Sequence, residues 1–163
     1  MKRIINEMKL RLPAKSVNEA VARSVISAFI AQLDPTVEEL GDIRCAVSEA
    51  VTNSIVHAYR SLPESEVGYI YISVRLYDTR EVSVEISDNG CGIETEKLRN
   101  IFTGYLGNDT QKADRSKGNM NIGLSLCAAI IKAHGGEIWA YNNTDGGASF
   151  SFSLITEATE NEQ

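Results

Sequence analysis

The sequence predicts an α+β fold: a two-layer sandwich in which a mixed, mainly antiparallel sheet is covered on one face by helices. Two stretches carry apolar residues at helical spacing, and each is opened by a hydroxyl residue with a glutamate three positions later. Five other stretches alternate apolar and polar residues, as half-buried strands do. Because the helical and strand segments are segregated along the chain, they favour an α+β architecture.

The N-terminal part of the chain predicts one strand and two helices. Residues 4–12 alternate as a strand does. Capping boxes of the form hydroxyl-x-x-Glu begin at Ser16 and at Thr36, and they open predicted helices over 17–33 and 37–60. An Asp-Pro pair separates the two helices.

The rest of the chain predicts two hairpins with helices between them. The predicted segments are a hairpin over 68–77 and 82–87, a short helix over 94–101, a helix over 122–132, and a second hairpin over 137–141 and 148–155. Between the two helices, residues 103–121 are polar and contain several glycines. A loop of this length in a compact domain is usually functional or mobile.

The composition is that of one soluble globular domain. The chain has 163 residues, a formal net charge of −6 and an apolar fraction of 43%, which allows one sizeable core. The acidic balance argues against binding nucleic acid by neutralising phosphates. There is no signal-peptide pattern and no apolar run of about 20 residues, so we expect a cytoplasmic location. We expect one domain over 1–155 and a disordered acidic tail over 156–163.

The three cysteines are far apart in the sequence. Cys45 and Cys127 fall inside predicted helices as small apolar residues, whereas Cys91 lies between glycines in a loop. Their spacing matches no zinc motif and no disulfide framework. We assign no chemistry to any of them.

A polar row on the second helix is the first candidate site. Glu49, Asn53 and His57 follow one another at intervals of four residues, so they share one stripe of a helix that is otherwise largely apolar. A solvated helix face explains such a row as well as a binding site does. Two signals further along the chain favour the binding site.

The second signal is a glycine-rich turn directly after a predicted strand. Asp88 is followed by Gly90 and Gly92 in the run Asp-Asn-Gly-Cys-Gly-Ile. A carboxylate held above a turn that lets backbone approach a ligand suits recognition of an exocyclic amine. Read alone, the run is more often a tight turn.

The third signal is a basic segment that leads into a helix N-terminus. The run Arg115-Ser116-Lys117-Gly118 precedes Gly123 and Leu124, where the last long helix begins. Exposed amides and the positive end of the helix dipole make a natural phosphate site. Neither a Walker loop nor a complete Rossmann fingerprint is present.

Together the three signals resemble, in order, the motifs of the GHKL ATPases, the family of gyrase, heat-shock chaperone, histidine kinase and mismatch-repair ATPase domains. Glu49-x-x-x-Asn53-x-x-x-His57 looks like the N box of that family, and the run from Asp88 to Ile93 looks like its Asp-x-Gly-x-Gly box. Gly123-Leu124-Ser125-Leu126 looks like its final glycine box. The resemblance implies a sandwich of the GHKL ATPase type.

The N-terminal residues narrow the resemblance to the anti-sigma F factor branch of small serine kinases. Asn6-Glu7-Met8, the run Phe29 to Thr36, and Val47-Ser48-Glu49-Ala50-Val51-Thr52-Asn53 are similar to that branch. The likeness implies an ATP-dependent homodimer that binds a sporulation sigma factor and phosphorylates a serine of an anti-sigma factor antagonist.

By this resemblance Glu49 is the general base, Asn53 holds Mg²⁺, Asp88 reads the adenine amine, and Arg23 on the first helix contacts a protein partner. The resemblance places a larger set of residues at the ATP site. These are Asn53, His57, Asp88, Gly90, Gly92, Ile93, Thr103, Arg115, Ser116, Lys117, Gly118, Gly123, Leu124 and Ser149.

Departures from the family pattern leave two alternatives open. Asn119 and Asn121 stand where many relatives carry glycine, and Ala148 stands where a threonine is usual. Such changes suit weak turnover and hence a binding protein that uses ATP to set its shape. The long segment before Gly123 is closer to a histidine kinase lid, which suggests a stand-alone histidine-kinase-type module.

Overall fold

The computed structural model describes residues 1–60, 62–63, 65–103 and 119–157. The elements are β1 (Ile4–Pro13), α1 (Val17–Ile30), a 3₁₀ turn (Ala31–Leu33), α2 (Val37–His57), β2 (Tyr69–Tyr77), β3 (Glu81–Asp88), α3 (Thr95–Arg99), α4 (Asn119–Ala133), β4 (Glu137–Asn142) and β5 (Ala148–Ile155). They form a five-stranded sheet with helices on one face, so the predicted α+β fold is confirmed.

The strand order in the sheet is β1-β2-β3-β5-β4. We expected a mixed, mainly antiparallel sheet, and the described strands pair antiparallel throughout. The last strand, β5, lies between β3 and β4, with Ser149 opposite Ser87. This insertion brings the start of β5 beside the end of β3, where Asp88 lies.

The central helix α2 anchors the core. It contacts α1, α4, β2 and β3, and Ile43, Val47 and Val51 on its inner side are fully buried. Opposite them, every second residue of β3 is buried. Burying an aliphatic side chain contributes about 1.5–3 kcal/mol, so this contact fixes the position of α2, and of its polar row, on the sheet.

One of the two predicted capping boxes is formed. At the start of α2, the Glu39 backbone N–H donates to Thr36 Oγ1 (3.1 Å), and the Thr36 N–H donates to Glu39 Oε2 (2.8 Å). The predicted box at Ser16 is wrong, because Ser16 makes no side-chain cap. Glu19 instead accepts a hydrogen bond from Ser48 Oγ on α2 at 2.6 Å, so a tertiary contact replaces the local one.

The buried face of α1 does not include the valines at the start of the helix. Ala22, Ile26 and Ile30 are buried, whereas Val17 and Val21 are 69% and 40% exposed. The face that packs on α2 is therefore turned away from the valines at the start of the helix.

The ordered chain extends past the expected domain boundary at residue 155. Thr156 is buried, and its N–H donates to the Arg80 carbonyl at 3.0 Å. The Glu157 N–H donates to Glu39 Oε1 at 2.7 Å. We expected both residues in a disordered tail, but these bonds fix them to the body of the fold; residues 158–163 lie outside the described part of the chain.

Most of the predicted loop over 103–121 also lies outside the described residues, and α4 begins at Asn119, three residues before the predicted start. Among the described helices, none is long and apolar enough to span a membrane.

Candidate functional site

A cavity of about 290 Å³ opens where the C-terminal end of α2, the turn after β3, α3 and the start of β5 meet. Five of the predicted site residues line it: Asn53, His57, Asp88, Gly92 and Ile93. Residues far apart in the sequence are thus brought together at one cavity. The other lining residues are Ala58, Arg60, Cys91, Glu94, Lys97, Ile101, Ala148 and Phe150.

Asn53 presents an unsatisfied carboxamide at this cavity. Its side chain is only 6% exposed, and its Nδ2 atom has no hydrogen-bond partner among the described residues. Buried polar groups in native proteins are nearly always hydrogen-bonded. Because the oxygen and nitrogen of a carboxamide exchange places by a flip, the side chain fits either a donor role or a metal-ligand role toward a bound group.

His57 lies one helical turn further along α2 and is paired with Arg60. The guanidinium Nη2 of Arg60 lies 2.6 Å from His57 Nδ1. Because arginine is always a donor, Nδ1 accepts and the imidazole proton is on Nε2. Burial, and secondly the charge of Arg60, lower the pKa of His57 below 6.5, so the ring is neutral at pH 7.

Asp88 provides the buried carboxylate of the cavity. Its Oδ1 accepts hydrogen bonds from the N–H groups of Gly90 (3.0 Å) and Ala148 (3.2 Å). Burial raises the pKa of Asp88 above 3.8, and these two amides oppose the shift. The backbone thus fixes the orientation of a carboxylate that faces a partly apolar cavity and suits an amine donor.

Two glycines shape the turn after Asp88 in different ways. Gly92 has φ +76°, and a Cβ there would meet Asn142 Oδ1 at 3.0 Å. Gly90 is packed against α2, where a Cβ would meet the Ala58 carbonyl oxygen at 2.3 Å. Gly92, which lines the cavity, thus allows a left-handed turn beside Asn142, whereas Gly90 allows the turn to approach the helix.

Asn142 holds the far end of the same turn. Its Nδ2 donates to the Ile93 carbonyl (2.7 Å), and its Oδ1 accepts from the Ile93 N–H (2.8 Å). No sequence motif indicated this residue, because it belongs to the end of β4 and meets the turn only through the strand order.

Glu49 lies outside the cavity lining, at the contact between α2 and α4. A Cβ built on Gly123 would come within 2.0 Å of Glu49 Oε2. The carboxylate therefore rests against the glycine in the early part of α4, two helical turns from His57. The predicted polar row is real, but its three members face different surroundings.

Three further predicted residues lie away from the cavity. Leu124 is 1% exposed and belongs to the core. Thr103 is exposed, and its hydroxyl donates to the Asn100 carbonyl (2.9 Å). Ser149 does not line the cavity: its hydroxyl bonds to Ser87 Oγ (2.9 Å) and Asn143 Oδ1 (2.7 Å), because alternation along β5 turns it to the sheet face opposite Ala148.

Four residues of the basic segment, Arg115, Ser116, Lys117 and Gly118, lie outside the described part of the chain. Arg23 on α1 is partly buried, and its Nη1 lies 3.4 Å from Glu19 Oε1. Its Nε atom is buried and has no hydrogen-bond partner among the described residues.

Residues 40–158 match the family of histidine kinase-, DNA gyrase B- and HSP90-like ATPases. The chain belongs to this ATPase family. Membership implies ATP binding. The carboxamide of Asn53, whose Nδ2 is unpartnered, and the buried carboxylate of Asp88 line the same cavity, which fits a ligand that brings both a metal ion and an amine donor.

Curated relatives of this GHKL ATPase are named anti-sigma F factors. The protein from Clostridium botulinum strain Eklund 17B is 55% identical over 89 residues, which cover 55% of this chain and 59% of that protein. The protein from Caldanaerobacter subterraneus subsp. tengcongensis is 51% identical over 103 residues, covering 62% of this chain and 68% of that protein. The match to the first relative thus spans little more than half of its length.

Solved structures of other proteins share the fold of the ATPase. The RsbU and RsbW domains of Rv1364c from Mycobacterium tuberculosis align with a TM-score of 0.62 at 16% identity, covering 93% of this chain and 32% of that one. The catalytic domain of histidine kinase ThkA aligns with a TM-score of 0.55 at 19% identity, covering 93% of this chain and 98% of that one. At such identities the likeness concerns the fold alone.

Sequence reasoning missed several residues of the GHKL ATPase cavity. Arg60 and Lys97 bring positive charge to its wall, while Ile101, Ala148 and Phe150 supply its apolar part. The sequence predicted the short helix that contains Lys97, but no motif indicated that Lys97 would face the cavity. Their convergence depends on how α3 and β5 pack beside α2.

Proposed function

We propose that this chain is an ATP-dependent anti-sigma factor and protein-serine kinase, which binds a sporulation-type sigma factor and phosphorylates a serine on its antagonist. The observation that carries the proposal is that two buried polar residues, Asn53 and Asp88, line one cavity, and that Nδ2 of Asn53 has no hydrogen-bond partner among the described residues. The similarity to anti-sigma F factors supports the choice of partners.

In the proposed ATP complex the adenine amine donates to Asp88, and Gly92 and Ile93 border the base. Asn53 would hold Mg²⁺ through its carboxamide. Magnesium typically takes few protein ligands and completes its shell with waters and substrate phosphates, so one carboxamide suits it. The basic residues Arg115 and Lys117 are proposed to contact the phosphates.

When bound, Mg²⁺ neutralises charge on the phosphate oxygens. The residues of this chain position the reactants and move one proton. Glu49 accepts the proton of the attacking serine hydroxyl as that oxygen bonds to the γ-phosphorus; the bond between the γ-phosphorus and the β–γ bridging oxygen breaks, and ADP leaves. The contact of the Glu49 carboxylate with Gly123 supports this role, because it restrains the base beside the helix start that is proposed to face the phosphates.

The test of the kinase is phosphoserine formation on a candidate antagonist, with ATP binding measured separately by calorimetry. We expect Glu49→Ala to lower transfer by about 10²- to 10⁴-fold, the usual contribution of a general base, while ATP binding is retained. Glu38→Ala, a change of an exposed glutamate in the first turn of the same helix, is the matched control. ATP binding without transfer in the parent protein would favour an ATP-gated binding protein, and phosphohistidine on a partner would favour the histidine-kinase-type module.

The proposed sigma-factor contact includes Arg23. Its buried, unpartnered Nε supports a contact on the face of α1 that Arg23 shares with Glu19. Arg23→Glu is expected to weaken sigma binding by at least about tenfold, roughly 1.4 kcal/mol, whereas Arg44→Glu, at an exposed position of α2, is the control. Equal affinity of the two variants would remove Arg23 from the interface.

We also propose that the chain forms a homodimer and acts in the cytoplasm. Sigma-factor regulators of this kind are expected to act as dimers, and their targets are part of the transcription machinery inside the cell. Sedimentation of the ATP-bound chain with and without sigma factor tests the dimer.

A further inference from the structure

One thiol lies in the wall of the cavity that holds Asn53 and Asp88. Cys91 is exposed and lines the cavity. Its N–H donates to the Ala58 carbonyl at 3.2 Å, and its Sγ lies 3.8 Å from the His57 carbonyl oxygen. The backbone of Cys91 is thus held at the end of α2, and its sulfur lies 3.5 Å from the carbonyl oxygen of Gly92 in the turn after Asp88.

The other two cysteines are poor nucleophiles in the same chain. Burial, and secondly the charge of Glu49, raise the pKa of Cys127 to about 12. The same two causes raise the pKa of Cys45, which is partly buried. Because the thiolate is the reactive species, burial disfavours reaction at both of these thiols, and they act as internal controls for the exposed Cys91.

An observation independent of the thiol indicates that this cavity receives a ligand. The Asn53 side chain is 94% buried (6% exposed), lines the same cavity, and leaves its Nδ2 without a partner among the described residues. A volume of about 290 Å³ lies just below the usual range for small-molecule sites, about 300–1,000 Å³. A sulfur adduct of tripeptide size and a nucleotide would therefore not fit together.

We propose that Cys91 is a thiol modification site at which a small disulfide, such as oxidised glutathione, excludes the nucleotide. The inference rests on the proposed ATP role of the cavity. The Cys91 thiol first releases its proton to solvent, and the thiolate attacks one sulfur of the disulfide. A new S–S bond forms to Cys91, the original S–S bond breaks, and glutathione thiolate leaves and takes up a proton. Cys91 is oxidised as the released glutathione is reduced.

The test treats the full chain with oxidised glutathione, with and without ADP, and follows adducts by intact mass and peptide mapping. We expect one adduct, on Cys91, in the parent and in the Cys45→Ser variant. ADP at 100 times its Kd should slow modification roughly 100-fold, the factor expected of a competitor. Calorimetry should find ADP affinity lost on modification and restored by dithiothreitol. In Cys91→Ser, ADP affinity should be the same before and after glutathione treatment.

A first adduct on Cys45 or Cys127, an unchanged modification rate under saturating ADP, or full ADP affinity in the modified protein would each overturn the Cys91 proposal while leaving the ATP site intact. If the unmodified protein does not bind ADP or ATP in the calorimeter, the proposed function fails and the competition fails with it.

Discussion

The contact between Glu49 and Gly123 allows the position of the proposed base to be tested by adding one methyl group, in Gly123→Ala. In Gly123→Ala, the new Cβ would lie 2.0 Å from Glu49 Oε2, whereas ordinary contact begins at 3.4 Å. The carboxylate must therefore move by the difference, about 1.4 Å. A misplacement of about 1 Å in catalytic geometry costs on the order of 10²-fold in rate, and we expect a loss of that size in phosphoserine formation.

The fold itself should tolerate the same change. Gly123 lies inside α4 and does not have a positive φ, so alanine gains about 1 kcal/mol of helix propensity. The atom that has to move is the end of a flexible side chain. Chemical denaturation should therefore show a free energy of unfolding that is unchanged or raised by up to about 1 kcal/mol, which separates lost catalysis from lost stability.

The assay is a double-mutant cycle on Gly123→Ala and Glu49→Ala, with transfer, ATP affinity and stability measured for each protein. With Glu49 truncated the clash disappears, so adding Gly123→Ala should lower transfer no further. A further loss of ATP affinity in the double variant would mean that the glycine meets the nucleotide directly. Transfer at the parent rate in the single variant would refute the positioning of Glu49 as the base.

Three further outcomes are expected. Asp88→Asn should weaken ATP binding by about 1–3 kcal/mol at pH 7. Because burial raises the pKa of Asp88, the ATP affinity of the parent should fall toward that of the variant as the pH is lowered, beginning above pH 3.8. A difference in affinity that stays constant with pH would contradict this. The folded state also binds the Asp88 proton more tightly, so the carboxyl favours folding below pH 3.8 and loses that effect as pH rises through its folded pKa. His57 should titrate below 6.5 in NMR, and Arg60→Gln should raise its pKa. The contribution of the neutral ring to stability is present above pH 6.5 and is lost as the pH falls through the folded pKa. The same His57 pKa in Arg60→Gln and in the parent would exclude the charge effect. Thr36→Ala should cost about 1 kcal/mol of unfolding free energy, while Ser16→Ala, at a position without a cap, should cost little; equal losses would refute the cap assignment.

Local patterns in the sequence determined most of the secondary structure. Alternation and helical spacing placed the strands and helices within a few residues, because each depends on contacts between near neighbours in the chain. The Thr36 capping box was predictable for the same reason. The predicted box at Ser16 does not form, because the Glu19 carboxylate accepts a hydrogen bond from Ser48 on another helix.

The sequence by itself also predicted a ligand site at the polar row of α2 and the turn after Asp88, and five of the predicted residues line one cavity. Tertiary structure alone decided which of the remaining residues take part. The insertion of β5 beside β3 put Ala148 at the cavity and turned Ser149 to the opposite face. The packing of α4 on α2 set Glu49 against Gly123. Both results depend on contacts between segments that are distant in the chain, which a local pattern does not encode.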